Sequence, residues 1–268
     1  MRPLEFAVTG IGVWAPECAG WDAARAVLVG GVENAANNTN PQIPPPQPAI
    51  LPPAERRRAP EAVRLALEVA QQACAMAGCE PRELPHVFAS GYGDTAVTDY
   101  LCATLARAPR ELSPTRFHQS VHNAAAGYWT IATGCMRASS ALSAGEHSFA
   151  AALLEAALLL GDEAAPVLLA AYDVAAPAAL EPLVPCRTPF AVALVLAPAP
   201  APAPRVRLTA PVEPADALAR APTLLHARHR DNPAARSLPL LAALARREPG
   251  PVVLAAGAQW GLHLEMQW

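Results

Sequence analysis

SVHNAAAGYWTIATGCMRASSALSAGEHSFAAALLE, residues 120–155, is the stretch on which the reading of this chain turns. Its spacing predicts a helix over Val121–Thr133, a short strand over Ser139–Ser143, a sharp turn Ser143-Ala144-Gly145-Glu146-His147-Ser148, and a long apolar helix over Glu146–Leu160. A small-residue strand that feeds a helix through such a turn is a place where α/β enzymes hold a nucleophile. The free amides and dipole of the helix start stabilise an anion there. Here the turn offers Glu146, which cannot do the work of a thiolate.

Outward from this stretch the pattern alternates. Glu5–Ile11 reads as a buried strand ending in Gly-Ile-Gly, with Asp22 capping a short helix to Val29. Residues 31–54 are rich in Asn and Pro and read as a surface loop with polyproline character. Glu61–Met76 has helical apolar spacing and is closed by Gly78. His86–Ser90 is a strand, and Gly91-Tyr92-Gly93 turns into a helix over Asp94–Ala106. Pro166–Tyr172 and Phe190–Leu196 are continuous apolar runs, as in strands covered on both faces. An Ala-Pro linker, Ala197–Pro204, leads to a strand at Arg205–Thr209, helices near Asp216–Arg220 and at Leu238–Arg246, and strands at Pro251–Ala255 and Gly261–Gln267. The last alternates apolar and polar residues, so one face is wet. This order predicts an α/β fold with mixed sheets between helices.

Composition narrows the function. The 268 residues can bury a full core, and the 53% hydrophobic fraction rests on Ala. All 20 basic residues are Arg, in patches at Arg56–Arg58 and Arg228–Arg230 that read as solvated faces. A net charge of −3 argues against a nucleic-acid or membrane-surface binder. Six cysteines without paired spacing read as reduced thiols in a cytoplasmic protein. The longest apolar run is too short for a membrane span. Neither a metal site nor a cofactor site is visible; the Gly-Ile-Gly at 10–12 lacks the rest of a dinucleotide fingerprint.

VTGIGVWAPECAGWDAARAVLVGG resembles the opening of β-ketoacyl synthases, VTGIGxxSPxG…WxALxxG. SVHNAAAGYWTIATG resembles their segment N-x-x-AG-x-x-x-I-x-x-x-G. The resemblance covers residues 4–197 and implies a thiolase-like layered fold: a ketosynthase-like half over 1–197 and a shortened second half over 198–268. Two departures stand out. The family's nucleophile cysteine, in Thr-Ala-Cys-x-Ser, falls at Glu146. Its H-G-T-x-T and G-H-x-x-G-A histidine motifs are also missing; the C-terminal histidines are His226, His229 and His263 in other contexts. The resemblance therefore implies a chain-length-factor-like subunit of the aryl-polyene or type II polyketide kind. Such a subunit is not an enzyme by itself. It pairs as a heterodimer with an active ketosynthase, meets an acyl carrier protein through the complex, and shapes the acyl tunnel.

Candidate residues follow, each with a plainer reading. Glu146 is the degenerate nucleophile position, bonded to neighbouring amides; otherwise it is a helix-start carboxylate, or a general base near His147. Ser139, Ser140, Leu142 and Ser143 form a small, nearly uncharged strand, and the resemblance implies that it pairs across a twofold axis; an open edge is a liability in a monomer. His122, Asn123, Tyr128, Trp129 and Phe149 are candidates for the interface or tunnel, against capping or core packing. Ser148 and His147 are adjacent on a helix, about 100° apart, and do not form a pair. Cys135 is a structural thiol at the end of the preceding helix. Two other function classes stay open: a stand-alone thioester decarboxylase or hydrolase using Glu146 or His122, and a homodimeric acyl-binding scaffold.

Overall fold

A computed structural model describes residues 4–30, 43–163, 165–199, 203–208, 224–257 and 259–268. Among them, nine strands form one mixed sheet: β1 (Leu4–Ala15), β2 (Cys18–Ala19), β3 (His86–Ala89), β4 (Ser139–Leu142), β5 (Val167–Asp173), β6 (Phe190–Pro198), β7 (Arg205–Leu208), β8 (Gly250–Ala255) and β9 (Gly261–Gln267). The order is β4-β3-β5-β6-β1-β7-β9-β8, with β2 on β1. Strands β4, β3 and β5 run parallel, and the remaining pairs are antiparallel. The strands after residue 198 thus extend the same sheet.

The helices are α1 (Trp21–Val29), α2 (Pro53–Arg58), α3 (Glu61–Ala77), α4 (Thr95–Arg107), α5 (Pro114–Gln119), α6 (Ala124–Thr133), α7 (Ser148–Glu163), α8 (Leu224–His229) and α9 (Leu238–Arg246). Both faces of the sheet are covered, which explains the continuous apolar runs of β5 and β6. Successive side chains alternate faces. Leu168, Ala170 and Tyr172 join a core with α3 and α6. Val167, Leu169 and Ala171 join the opposite core with α1, α7 and α9.

One close approach sets the first layer. A Cβ on Gly10 would lie 2.1 Å from the Ala73 carbonyl oxygen, and one on Gly12 would lie 2.0 Å from that of Val69. The Gly-Ile-Gly of β1 is therefore the bed on which α3 lies. Helix α3 ends as expected at Gly78, whose φ of 65° lets Cys79 N–H return to the Cys74 carbonyl at 3.1 Å.

Several expectations are corrected. Asp22 is the second residue of α1; the N-cap is Gly20 at φ 87°. The loop expected over 31–54 gives way at Pro53 to α2, which carries the arginine patch and starts on proline, the residue suited to a first turn. The helix expected over Val121–Thr133 begins only at Ala124; a separate α5 precedes it, capped by Ser113. Helix α7 starts at Ser148, not Glu146, and continues past Gly161 to Glu163. The helix expected near Asp216–Arg220 lies outside the described residues.

The two sheet edges differ. β8 carries Pro251, which offers no N–H to a further strand. Among the described residues β4 is paired only with β3, and three of its four residues are small. The elements next to it carry exposed apolar side chains: Ile131 at 81% on α6, Met136 at 92% between α6 and β4, and Leu154 and Leu158 on α7, whose Glu155 accepts from Ser140 of β4.

Gly12→Ala should lower stability by about 2–3 kcal/mol through overpacking. Gly161→Ala, whose Cβ would meet nothing within 4 Å, should raise it by about 0.5–1 kcal/mol. Thermal denaturation of the two variants checks this opposition of sign.

Candidate functional site

The turn between β4 and α7 is built by its own backbone and by Ser148. Gly145 takes φ 57°, His147 N–H donates to the Ala144 carbonyl at 3.1 Å, and Ser148 N–H donates to that of Gly145 at 3.2 Å. The Ser148 hydroxyl donates to the Gly145 carbonyl at 2.6 Å and accepts from Ala144 N–H at 2.9 Å. Ser148 is thus spent on the turn, consistent with rejecting a Ser148–His147 pair.

Glu146 stands ahead of the helix, with its side chain 55% exposed. Its carboxylate accepts from Arg236 Nη2 at 2.6 Å, and His147 Nε2 lies 3.8 Å away. Glu146 is therefore paired across 90 residues of sequence instead of lying in the helix's first turn. A half-exposed pair of this kind contributes about 0–1 kcal/mol. The pair borders a cleft lined by Tyr92, Pro185, Asp231 and Pro233.

Behind this turn lies a residue that the sequence reading passed over. Asp173 ends β5 and is 1% exposed. Its carboxylate accepts from the Ser90 hydroxyl at 2.8 Å, Gly91 N–H at 3.1 Å and Tyr92 N–H at 3.0 Å. The signal was present: one acidic residue at the end of the otherwise apolar VLLAAYD, and a Gly-Tyr-Gly turn after β3. Burial pushes its pKa up to about 7, against the three hydrogen bonds that favour the charged form. His122 Nε2 donates to the Ser90 carbonyl at 3.2 Å, and the Ser143 hydroxyl donates to that of Gly91 at 3.0 Å. The structure therefore brings His122 and Ser143 together through the Ser90–Gly93 turn.

The other candidates divide. Asn123 holds the N-cap position of α6 without a side-chain cap bond. Tyr128 accepts from Gln119 Nε2 at 3.3 Å. Asn123 and Tyr128 line a largely apolar groove of about 430 Å³ with Gly127, Ile131, His118 and Arg58. Ser139 is exposed on β4, and Ser140 donates to Glu155 at 3.2 Å. Leu142 is partly buried against the α7 core. Trp129 and Phe149 have no exposed surface and belong to the two cores, so an interface role for them has no surface to work through. Cys135 is fully buried and donates to the Leu84 carbonyl at 3.4 Å, a structural thiol as expected.

The segment after residue 223 is fastened over this end of the sheet. Glu17 accepts from Arg228 Nη1 at 2.9 Å and bonds His229 Nε2 at 2.9 Å, and His229 Nδ1 bonds the Thr188 hydroxyl at 2.9 Å. Asn232 donates to the carbonyls of Asp173 at 3.0 Å and Thr188 at 2.9 Å. Burial would raise the Glu17 pKa, but the bonds from His229 and Arg228 outweigh it and bring the pKa to about 2. Among the described residues no group of three or more His, Cys, Asp and Glu is placed to hold a metal, and no helix is long and apolar enough to cross a membrane.

Strand, glycine turn and helix in this order, on a covered mixed sheet with one small-residue edge, define the thiolase-type class. Residues 32–261 match the family model described as beta-ketoacyl synthase, N-terminal domain, and the chain belongs to that family. Solved structures agree in fold. A chain of the ketosynthase ApeO in complex with its chain length factor ApeC, from Xenorhabdus doucetiae, aligns with a TM-score of 0.73 over 98% of this chain and 99% of its own, at 23% identity. A chain of the ishigamide ketosynthase/chain length factor gives 0.68 over 97% and 98%, at 16% identity. A chain of the AntDE:AntF complex, a type II polyketide synthase acyl carrier protein with its ketosynthase, gives 0.62 over 79% of this chain and 70% of its own, at 15%. No curated protein matches the sequence.

Because the Glu17 pKa is lowered on folding, its contribution to stability is present above about pH 4.5 and is lost as pH falls toward 2. Stability measured against pH should fall across that window, and Glu17→Gln should flatten this part of the profile while lowering stability near neutrality.

Proposed function

We propose that this chain is a non-catalytic, chain-length-factor-like subunit that pairs with an active β-ketoacyl synthase and shapes the tunnel holding its growing acyl chain. The carrying observation is Glu146: where the resemblance puts the family's nucleophile, this chain has a carboxylate paired with Arg236. A condensing enzyme needs a thiolate to carry the acyl group and donors aimed at the oxyanion. A carboxylate neutralised by a guanidinium supplies neither. On this reading residues 1–197 are the ketosynthase-like half and 198–268 a shortened second half that completes the sheet. The working place is the cytoplasm.

The partner is supported by the β4 edge and the names of similar structures. β4 offers unpaired backbone groups beside Ile131, Met136, Leu154 and Leu158, an apolar surface that a second ketosynthase-type subunit would cover. Two of the similar structures are named as ketosynthases with chain length factors, and a third includes an acyl carrier protein. The carrier would then meet this subunit through the complex. The groove of Asn123, Gly127, Tyr128 and Ile131 opens beside the same surface and is the candidate wall of the tunnel.

Affinity capture with native mass analysis should recover a one-to-one assembly with a Cys-His-His ketosynthase. Turnover of acyl thioesters by the chain alone, abolished by Glu146→Ala, would instead establish the stand-alone enzyme. A stable homodimer that ignores ketosynthases would establish the scaffold. Ile131→Arg with Met136→Asp should weaken the complex about 30-fold while the monomer's melting temperature stays unchanged. Gly127→Leu, which fills the groove, should shift the products of the complex to shorter chains, read by mass spectrometry.

A further inference from the structure

We propose that Asp173 is a positioning residue for the partner-facing end of the sheet, setting where His122 and Ser143 stand through two consecutive peptide groups. The name of that end rests on the function proposed above; the linkage itself does not. A peptide group is planar and points its N–H and C=O in opposite directions. In the Ser90–Gly91 peptide the N–H reaches Asp173 Oδ2 at 3.1 Å, and the C=O accepts from His122 Nε2 at 3.2 Å. In the Gly91–Tyr92 peptide the N–H reaches Asp173 Oδ1 at 3.0 Å, and the C=O accepts from the Ser143 hydroxyl at 3.0 Å. Each peptide is bonded at both ends, so the bonds polarise one another.

The turn has little room to absorb a change. A Cβ on Gly91 would sit 2.7 Å from the Gly145 carbonyl oxygen and 2.5 Å from Pro233 Cγ. The Ser90–Gly93 turn and the Ser143–Ser148 turn thus lie close together at Gly91. The carboxylate accepts three donors, and the described partners are all neutral. Oδ1 already accepts two donors and Oδ2 one, so a proton goes to the remaining lone pair of Oδ2, where it weakens the bond from Gly91 N–H because a neutral acid accepts less strongly than a carboxylate. The Ser90 hydroxyl is itself held, accepting Gly93 N–H at 2.8 Å.

Burial brings the Asp173 carboxyl into the range where it changes charge near neutral pH. The groups facing it are Tyr92 on the loop after β3, Tyr172 on β5, and Cys186 on the loop before β6, with Asp94 beyond Tyr172, Glu146 and Arg236 beyond Tyr92, and Asp231 beyond Cys186. Burial raises the pKa of Tyr92, Asp94, Tyr172 and Cys186, so the tyrosines and the thiol stay neutral where Asp173 titrates.

The test is a titration of the isotopically labelled full chain, alone, across neutral pH, followed by nuclear magnetic resonance. The amides of Gly91 and Tyr92 should share one midpoint with those of Ser143 and Gly145. In Asp173→Asn this common titration should vanish from all four. By reciprocity, Ser143→Ala should raise the Gly91 and Tyr92 midpoint by a few tenths of a pH unit, because removing a donor weakens the bonds that favour the charge. If Asp173→Asn does not fold, Ser143→Ala carries the test. Ser143 and Gly145 amides that ignore the Gly91 midpoint, or that keep it in Asp173→Asn, would overturn the proposal. So would an unmoved midpoint in Ser143→Ala. Because the chain is measured alone, failure to find a ketosynthase partner would leave this result standing.

Discussion

The architecture depends on how near α3 can come to β1. Carbonyl oxygens of Val69 and Ala73 occupy the space where side chains of Gly12 and Gly10 would project, so helix backbone rests on strand backbone. That contact places Leu65, Val69 and Ala73 against the inner residues of β5 and β6, where Ala170, Ala191 and Ala193 leave room for them. An Ala-rich chain can build such a layer only at short range, because small side chains bury little area unless backbones are close. The opposite core follows the same economy, with Leu153 and Phe149 of α7 meeting Val87 and Leu169.

Upon this frame the site keeps a shape while the chemistry differs. The β4–α7 turn has a glycine at positive φ, small residues and a helix start, and its Glu146 is drawn to Arg236 of the segment that follows α8. That segment is fixed by contacts from several directions: Arg228 and His229 on Glu17, Asn232 on two buried carbonyls. Two carboxyls respond oppositely to acid: half-buried Glu17 is stabilised in its charged form, whereas buried Asp173 is held nearer its neutral form.

Local patterns reported the elements well where one rule governed them. The periodicity of α3, the glycine at its end, the apolar runs of β5 and β6, and the alternation of β9 each carry their cause within a few residues. They misled where a distant partner intervened. His122 is drawn to the Ser90 carbonyl, and the helix expected from Val121 starts three residues later. Trp129 and Phe149 looked like scarce aromatics available to an interface, but the cores of an Ala-rich protein need their volume.

What the sequence by itself determined is the family pattern, most of the strands with the longer helices, and a glutamate in place of a cysteine at residue 146. These are matters of residue identity and of spacing along the chain. Tertiary structure alone decided what Glu146 touches, that Asp173 organises the turn behind it, and that β4 is left with one open side. Each of these depends on groups 50 to 90 residues apart meeting in space. No local propensity encodes such meetings. They arise because buried polar groups must find partners wherever the packed layers bring them together.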